Sequence, residues 1–382
     1  MCGSKQNPWL CGLGMLLAVL VVYGGRAQAD ITSDRSGSVI IFPKVIADGT
    51  TSTNTIIQVA NTSNGPVQAH CFYIDDNCFE RDFDIFLTKQ QPTVWDAATG
   101  RQILDSLGDG FSPGAPLPVV QPFIGQLICI ETDANGTPVA GNHLKGEAII
   151  VSDNPGGISE YNAISVTASA AGSDVLSLDD TNYNACPEHL VMNHYAEGAV
   201  DGFTGGVAST ELTLIPCTAL LEDQLEIPAV AHFQVTDEME FQLTGSVQVG
   251  CFLNLPLADL PSQFGVLPGR TLLKTRITPA SGNVCYTGRF AGRSCTDNDD
   301  CPGAEGVCTN NVADRCTVDA DCGVGGTCQL LGCNQYPGLL GVAEEFQTRR
   351  ENSTTGPAGR AAVNLFIEGS RPGDFIVVPP LE

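Results

Sequence analysis

Two short segments place cysteine and aspartate at repeated intervals, and these are the residues best suited to chemistry. Cys295-Thr296-Asp297-Asn298-Asp299-Asp300-Cys301 followed by Gly306-Val307-Cys308 is echoed 21 residues on by Cys316-Thr317-Val318-Asp319-Ala320-Asp321-Cys322 followed by Gly326-Thr327-Cys328. Thiols in such a set pair as disulfides or bind zinc. Paired Cys-x2-Cys knuckles do not occur in the sequence, so disulfides are expected instead. The alternating carboxylates, Asp297, Asp299 and Asp300 in the first copy and Asp319 and Asp321 in the second, suit a hard cation such as calcium. Calcium takes roughly six to eight oxygens, so backbone carbonyls and water would have to complete the shell, and no long loop ending in glutamate follows. The competing reading is that these aspartates cap tight turns between bridged cysteines.

Other constellations are weaker. The five histidines are His70, His143, His189, His194 and His232. His189, His194 and Glu197 form one local cluster, yet a spacing of five sets two side chains on opposite faces of a strand and about 140° apart on a helix. Neither element makes them a chelating pair. Asp75-Asp76, Asp179-Asp180 and Glu222-Asp223 are adjacent acids, and glycosidase carboxylates come from separate segments, so these pairs read as solvated turns. Trp95 is expected in a core, because a lone aromatic is a poor platform for a sugar. Gly157-Ile158-Ser159-Glu160-Tyr161 approaches a nucleophile elbow but lacks the final glycine that permits the sharp turn. Phosphate-cradling, dinucleotide-binding and His-Glu-x2-His motifs do not occur. No catalytic or cofactor-binding residue is therefore assigned. Two readings stand: a non-catalytic secreted binding or structural module that contacts an extracellular protein or glycan, and a secreted hydrolase whose site is assembled from distant segments.

The elements that must position these residues are mostly strands. Over residues 233–251, Phe233, Val235, Met239, Phe241, Leu243, Val247, Val249 and Cys251 share one parity, with Glu238, Glu240, Gln242, Thr244, Ser246 and Gln248 on the other. A period of two predicts one buried and one wet face, bent near Gly245. Similar runs recur along the chain, separated by turn signals such as Asn64-Gly65-Pro66 and Asn135-Gly136. The expected fold is mostly β: two antiparallel, Ig-like β-sandwich regions, residues 30–226 and 227–382, with a cysteine-rich insertion over 285–333. Helices are expected only over Pro187–Ala196 and Thr218–Glu226.

The front of the chain has a different character. Lys5 precedes an apolar run from Leu10 to Val22, too short to cross a bilayer, and Ala27-Gln28-Ala29 offers small residues before Asp30. A signal peptide over residues 1–29, cleaved before Asp30, is predicted, and with it export to an extracellular or periplasmic space. Its removal takes Cys2 and Cys11 from the 16 cysteines and leaves an even number, for which an oxidising compartment makes disulfides the default. The eight cysteines Cys285, Cys295, Cys301, Cys308, Cys316, Cys322, Cys328 and Cys333 are expected to bridge among themselves. Cys71, Cys78, Cys129, Cys186, Cys217 and Cys251 would then pair elsewhere or stay partly reduced. The formal net charge of −25 argues against nucleic-acid or anionic-lipid partners. No second membrane span is expected.

The Cys-x5-Cys spacing with acids before the second cysteine, then Gly-x-Cys, resembles short cysteine-rich repeats of many secreted proteins, including bacterial surface proteins and Dickkopf-type domains. The resemblance covers residues 285–333 and implies an extracellular location and a contact surface, with no reaction. The segment Ser38-Val39-Ile40-Ile41-Phe42-Pro43-Lys44, with Asn61-Thr62-Ser63 and His70-Cys71-Phe72-Tyr73, is similar to uncharacterised secreted bacterial proteins and implies no activity.

Overall fold

The computed structural model describes residues 31–49, 53–101, 116–153, 156–170, 172–200, 206–221, 225–260, 272–348 and 357–379. The expected signal peptide with Ala27 and Ala29 lies outside the described residues, as does the pair Glu222-Asp223. Nine strands come first: β1 (Val39–Ala47), β2 (Asn54–Asn61), β3 (Val67–Asp75), β4 (Glu80–Leu87), β5 (Pro92–Asp96), β6 (Phe123–Thr132), β7 (Leu144–Asp153), β8 (Gly156–Asn162) and β9 (Ile164–Val166). They form one sheet in the order β4-β3-β6-β1-β2-β7-β8, with β5 on β2 and β9 on β1. The sheet closes over a core that includes Phe42, Ile57, Tyr73, Trp95, Leu127 and Ile150. Gly146 lets β7 approach this core, since a Cβ there would sit 2.4 Å from the Phe42 ring.

The opposite side of β1, β3 and β6, with Val39, Ile41, Phe72, Ile128 and Ile130, packs against Leu176, Ile215, Leu340 and Ile376 from later in the chain. These three strands are buried on both faces. That is why Val39–Phe42 and Leu127–Ile130 read as unbroken apolar runs where a half-exposed strand would alternate.

The later strands are β10 (Val175–Leu178), β11 (His189–Tyr195), β12 (Val207–Pro216), β13 (Ala219–Leu220), β14 (Ala229–Asp237), β15 (Gln242–Val249), β16 (Leu253–Pro256) and β17 (Leu272–Pro279). The excursion holds β18 (Asn283–Cys285), β19 (Ser294–Cys295), β20 (Gly306–Cys308), β21 (Asn311–Cys316), β22 (Cys328–Leu330) and β23 (Cys333–Gln335). The chain then returns through β24 (Leu339–Thr348), β25 (Pro357–Asn364), β26 (Phe366–Glu368) and β27 (Asp374–Val377). A five-stranded sheet, β15-β14-β17-β11-β26, and a four-stranded sheet, β16-β12-β24-β25, share a core of Met192, Leu212, Leu214, Phe233, Ile277 and Leu339. A small sheet, β10-β27-β13, contains a parallel pair, β13 with β27. Strands from both sides of residue 227 share these sheets, since β11 pairs β17 and β12 pairs β24.

Three local expectations are corrected. Pro187–Ala196 is not helical: it contains β11, whose Leu190, Met192 and His194 face inward. Ala219 and Leu220, expected in a helix, form β13, because their backbone groups pair with β27. Residues 233–251 are a hairpin in place of one bent strand. The Asp237 carboxylate accepts the backbone N–H groups of Met239 and Phe241 at 2.8 and 2.9 Å and fixes the turn, where Glu240 takes a φ of 64°.

Seven disulfides join the described cysteines. Cys71–Cys129 bridges directly opposed positions of β3 and β6, Cys78–Cys251 ties the first sheet to the link between β15 and β16, and Cys186–Cys217 lies beside β10-β27-β13. In the excursion the bridges are Cys285–Cys301, Cys295–Cys333, Cys308–Cys322 and Cys316–Cys328. These make two units of the same crossed connectivity, first to third and second to fourth cysteine. The unit Cys308–Cys328 sits between the third and fourth cysteines of the other. Val284, Tyr286, Val307 and Leu331 root the excursion against Val175, Phe375 and Val377 of the body.

Candidate functional site

The outer face of the five-stranded sheet carries a groove of about 470 Å³. Alternation puts Leu190, Met192, Phe233, Val235 and Ile277 inward, so Asn193, Gln234, Thr236, Gln242, Lys274 and Arg276 face out. Register aligns them in rows. Asn193 lies opposite Lys274, Lys274 opposite Thr236, and Thr236 opposite Gln242, while Arg276 lies opposite Gln234. Gln234 Nε2 donates to Gln242 Oε1 at 3.1 Å, and Arg276 Nη2 lies 3.3 Å from Glu368 Oε2. Asp237 and Glu238 line the same groove.

The groove therefore combines two cations, two carboxylates and several neutral amides and hydroxyls. Such a surface favours a ligand rich in hydrogen-bonding groups over one with a large net charge. One end is apolar: Met239 and Phe241 are 70% and 53% exposed in the β14–β15 turn, and Leu272, 52% exposed, pairs with Tyr195. No single stretch of sequence announces the groove, because its residues come from β11, β14, β15 and β17. Only the wet parity of Glu238 and Gln242 was legible beforehand.

A second polar assembly is buried between the first sheet and the four-stranded sheet. Glu211 of β12 and Glu344 of β24 are direct cross-strand partners, an arrangement that repels unless neutralised. The Lys44 ammonium, reaching in from β1, binds both carboxylates, at 3.0 Å for Glu344. Arg360 of β25 holds Glu344 with Nε and Nη2, and the Ser159 hydroxyl of β8 donates to it as well. Burial pushes the Glu344 carboxyl up, but the Arg360 hydrogen bonds, the Lys44 charge and Ser159 outweigh it and leave the group below its ordinary value. The Tyr161 hydroxyl donates to the Lys44 carbonyl and accepts from its N–H. Ser159, the nearest approach to a nucleophile elbow, is thus a buried member of an ionic clamp.

The remaining candidates serve local structure. His194 Nδ1 lies 2.9 Å from the Tyr195 carbonyl and Nε2 lies 2.7 Å from the Thr275 hydroxyl, so both ring nitrogens are engaged. Burial pushes its pKa down to about 4. His189 bonds Thr278 at 2.9 Å; Leu190, next to it, and His194 point inward. His70 stacks on Phe72 and meets Asp82, and His143 meets Glu131. His232 is exposed. Trp95 is 3% exposed and donates to the Tyr73 hydroxyl at 2.7 Å. Asp75 and Asp179 accept backbone N–H groups of the turns that follow them.

The repeat aspartates hold their own loops. Asp300 Oδ2 accepts the N–H and hydroxyl of Thr296, and Asp321 Oδ2 accepts those of Thr317 together with the Val318 N–H. Asp297 accepts the Asp299 N–H, and Asp319 accepts the Cys328 N–H. No three of these five carboxylates converge among the described residues; the groups of donor atoms within 4.8 Å of one another are Cys285, Cys295 and Cys301, then Cys308, Cys316 and Cys322, then Cys186, Cys217 and Asp374. All the sulfurs in these groups are in disulfides.

No protein-family model matches the chain, and no curated protein matches it either. The likeness of the cysteine repeats to Dickkopf-type domains and bacterial surface proteins therefore rests on spacing alone. Among the described residues no helix is long and apolar enough to cross a membrane.

Proposed function

We propose that the protein is a non-catalytic extracellular binding module whose ligand contacts the groove of the five-stranded sheet. The observation that carries this reading is the groove itself: polar side chains from four strands, fixed in rows by sheet register and backed by a packed core. Side chains placed on strands keep their geometry better than those on loops, which reduces the ordering cost of binding. Seven disulfides suit an oxidising compartment outside the cytoplasm. With Arg276 paired to Glu368 and Lys274 set against Glu238, the groove carries little net charge and selects a neutral, hydroxyl-rich ligand, that is, an uncharged glycan.

An array of neutral, sialylated and sulfated oligosaccharides tests this. Retention is expected on neutral glycans, and Asn193→Ala or Gln234→Ala should weaken it about tenfold, the loss of one or two hydrogen bonds. Failure to retain any neutral glycan, or retention unchanged by both substitutions, refutes the assignment.

A further inference from the structure

Edge strands of soluble proteins are usually blunted by charge, proline or short length, because unpaired backbone groups recruit other strands. The protein follows this rule at one edge. The terminal strand of the first sheet, β4, carries Glu80, Arg81, Asp82 and Asp84 among its eight residues. The terminal strand of the five-stranded sheet, β15, is also eight residues long but holds no charge and no proline: Gln242-Leu243-Thr244-Gly245-Ser246-Val247-Gln248-Val249. Among the described residues it pairs with β14 alone.

Among the described residues the core is also incompletely covered along this side. Leu243 and Val247 of β15, and Leu253 and Leu255 of the neighbouring edge strand β16, are only half-buried against the core of the second sandwich. Another strand laid beside β15 would satisfy its outward backbone groups, and its inward side chains would cover these four residues.

We infer that β15 is a docking edge for an extended segment of another protein, which adds as a strand with apolar residues inward and basic residues at its two ends. The charges around the edge select this occupant. The exposed Glu238 and Glu240 precede β15, and at its far end the exposed Glu226 carboxylate lies against Gly250, where an added Cβ would come within 2.7 Å of it. Two copies of β15 paired antiparallel about a two-fold axis would bring acid toward acid at both ends, within a chain of net charge −25. A basic-ended foreign strand meets attraction instead. This edge is independent of the groove reading, although Gln242 borders both.

The probe is a synthetic peptide as long as β15, alternating valine and threonine with a lysine at each end, titrated into the full chain while amide exchange is followed. Binding with new protection across Gln242–Val249 is expected. A peptide ending in glutamates should bind at least about tenfold more weakly. Thr244→Lys with Ser246→Lys should abolish binding, with exchange in β14 and β17 unchanged as proof of folding, and Asn193→Ala in the groove should leave it intact. Binding without protection of β15, equal binding of the acidic-ended peptide, or persistence in the lysine variant overturns the proposal. Concentration-dependent protection of β15 without peptide overturns it too, since the occupant would then be a second copy.

Discussion

The junction between the first sheet and the second sandwich, and the cysteine-rich excursion, hold chain together in opposite ways. At the junction, apolar side chains from β1, β3 and β6 meet Leu176, Ile215, Leu340 and Ile376, and the buried side chains of Lys44, Glu344 and Arg360 pair with one another and with the partly exposed Glu211. In the excursion the apolar contribution is a small root around Val284 and Tyr286, and four disulfides close the rest. Polar groups follow the same division. Buried ones at the junction must be matched with one another, because unpaired charge in a low-dielectric site costs several kcal/mol. Exposed aspartates in the excursion bond the nearest backbone N–H and remain open to water. Burial makes a polar contact strong and unforgiving, whereas covalent closure lets a region tolerate weak contacts.

The sharpest way to break this contrast is to remove one partner of the clamp. Glu344→Gln leaves Lys44 and Arg360 buried without their shared carboxylate, and about 3–5 kcal/mol of stability should be lost in guanidinium denaturation. Adding Lys44→Met should recover part of it, with a coupling of at least about 1 kcal/mol in the double-mutant cycle. A loss below 1 kcal/mol would mean that the cluster is no clamp.

His194 extends the test to a second buried polar group in the body. The unfolded imidazole takes a proton near 6.5 and the folded one only near 4, so the unfolded state binds more protons between those values. Stability present above pH 6.5 is therefore lost as pH falls toward 4, by about 3 kcal/mol. Subtracting the pH profile of His194→Gln from that of the unsubstituted protein should isolate this slope. Parallel profiles would show that the ring is hydrated.

In the excursion the expected response is local. Cys316→Ser with Cys328→Ser opens a loop of 12 residues' separation and should cost about 2–3 kcal/mol of stability there. Amide exchange should accelerate across Asn311–Cys328 while β1, β6 and β24 keep their protection. Loss of protection in the body as well would show that the two regions unfold as one.

How much of this could be read in the sequence depends on how locally each feature is encoded. Alternation identified the strands of the β14–β15 hairpin but concealed its turn. Phe233 lies opposite Gly245 and Val235 opposite Leu243, so odd positions face inward on both arms and the pattern passes through the turn unbroken. The turn signal was Asp237 itself. β11 was obscured because Val191, on the outer face, is also buried where it pairs with Phe366, which removes the alternation that would distinguish a strand from a short helix. The repeat was visible, yet its matched cysteines differ in bonding: Cys328 closes its own unit to Cys316, whereas Cys308 opens the next one to Cys322. Of the groove only the polar parity of Glu238 and Gln242 showed, and the clamp was hidden altogether, since Lys44, Glu211, Glu344 and Arg360 meet only through long-range pairing.

The smallest expected effect concerns the aspartate that precedes each second cysteine. In both repeats a threonine after the first cysteine gives its N–H and hydroxyl to that aspartate, so Thr296 with Asp300 and Thr317 with Asp321 brace the five-residue spacing from within. The backbone N–H of Thr296 and the N–H groups of Thr317 and Val318 hold the two carboxyls below their ordinary values. A lowered folded pKa means that this bracing is present above the unfolded value near 3.8 and is lost as pH falls through the folded one. Asp321→Ala should therefore raise exchange at Thr317 and Val318 a few-fold at neutral pH, and the difference from the unsubstituted protein should vanish in strong acid. Both carboxylates face water, so the body should not respond. Calcium gives an independent check on the same oxygens: if they act as turn acceptors, millimolar calcium leaves the Thr317 exchange rate unchanged. Slowing by calcium that Asp321→Ala abolishes would instead make the repeat a cation site, and its bracing role would then depend on the ion.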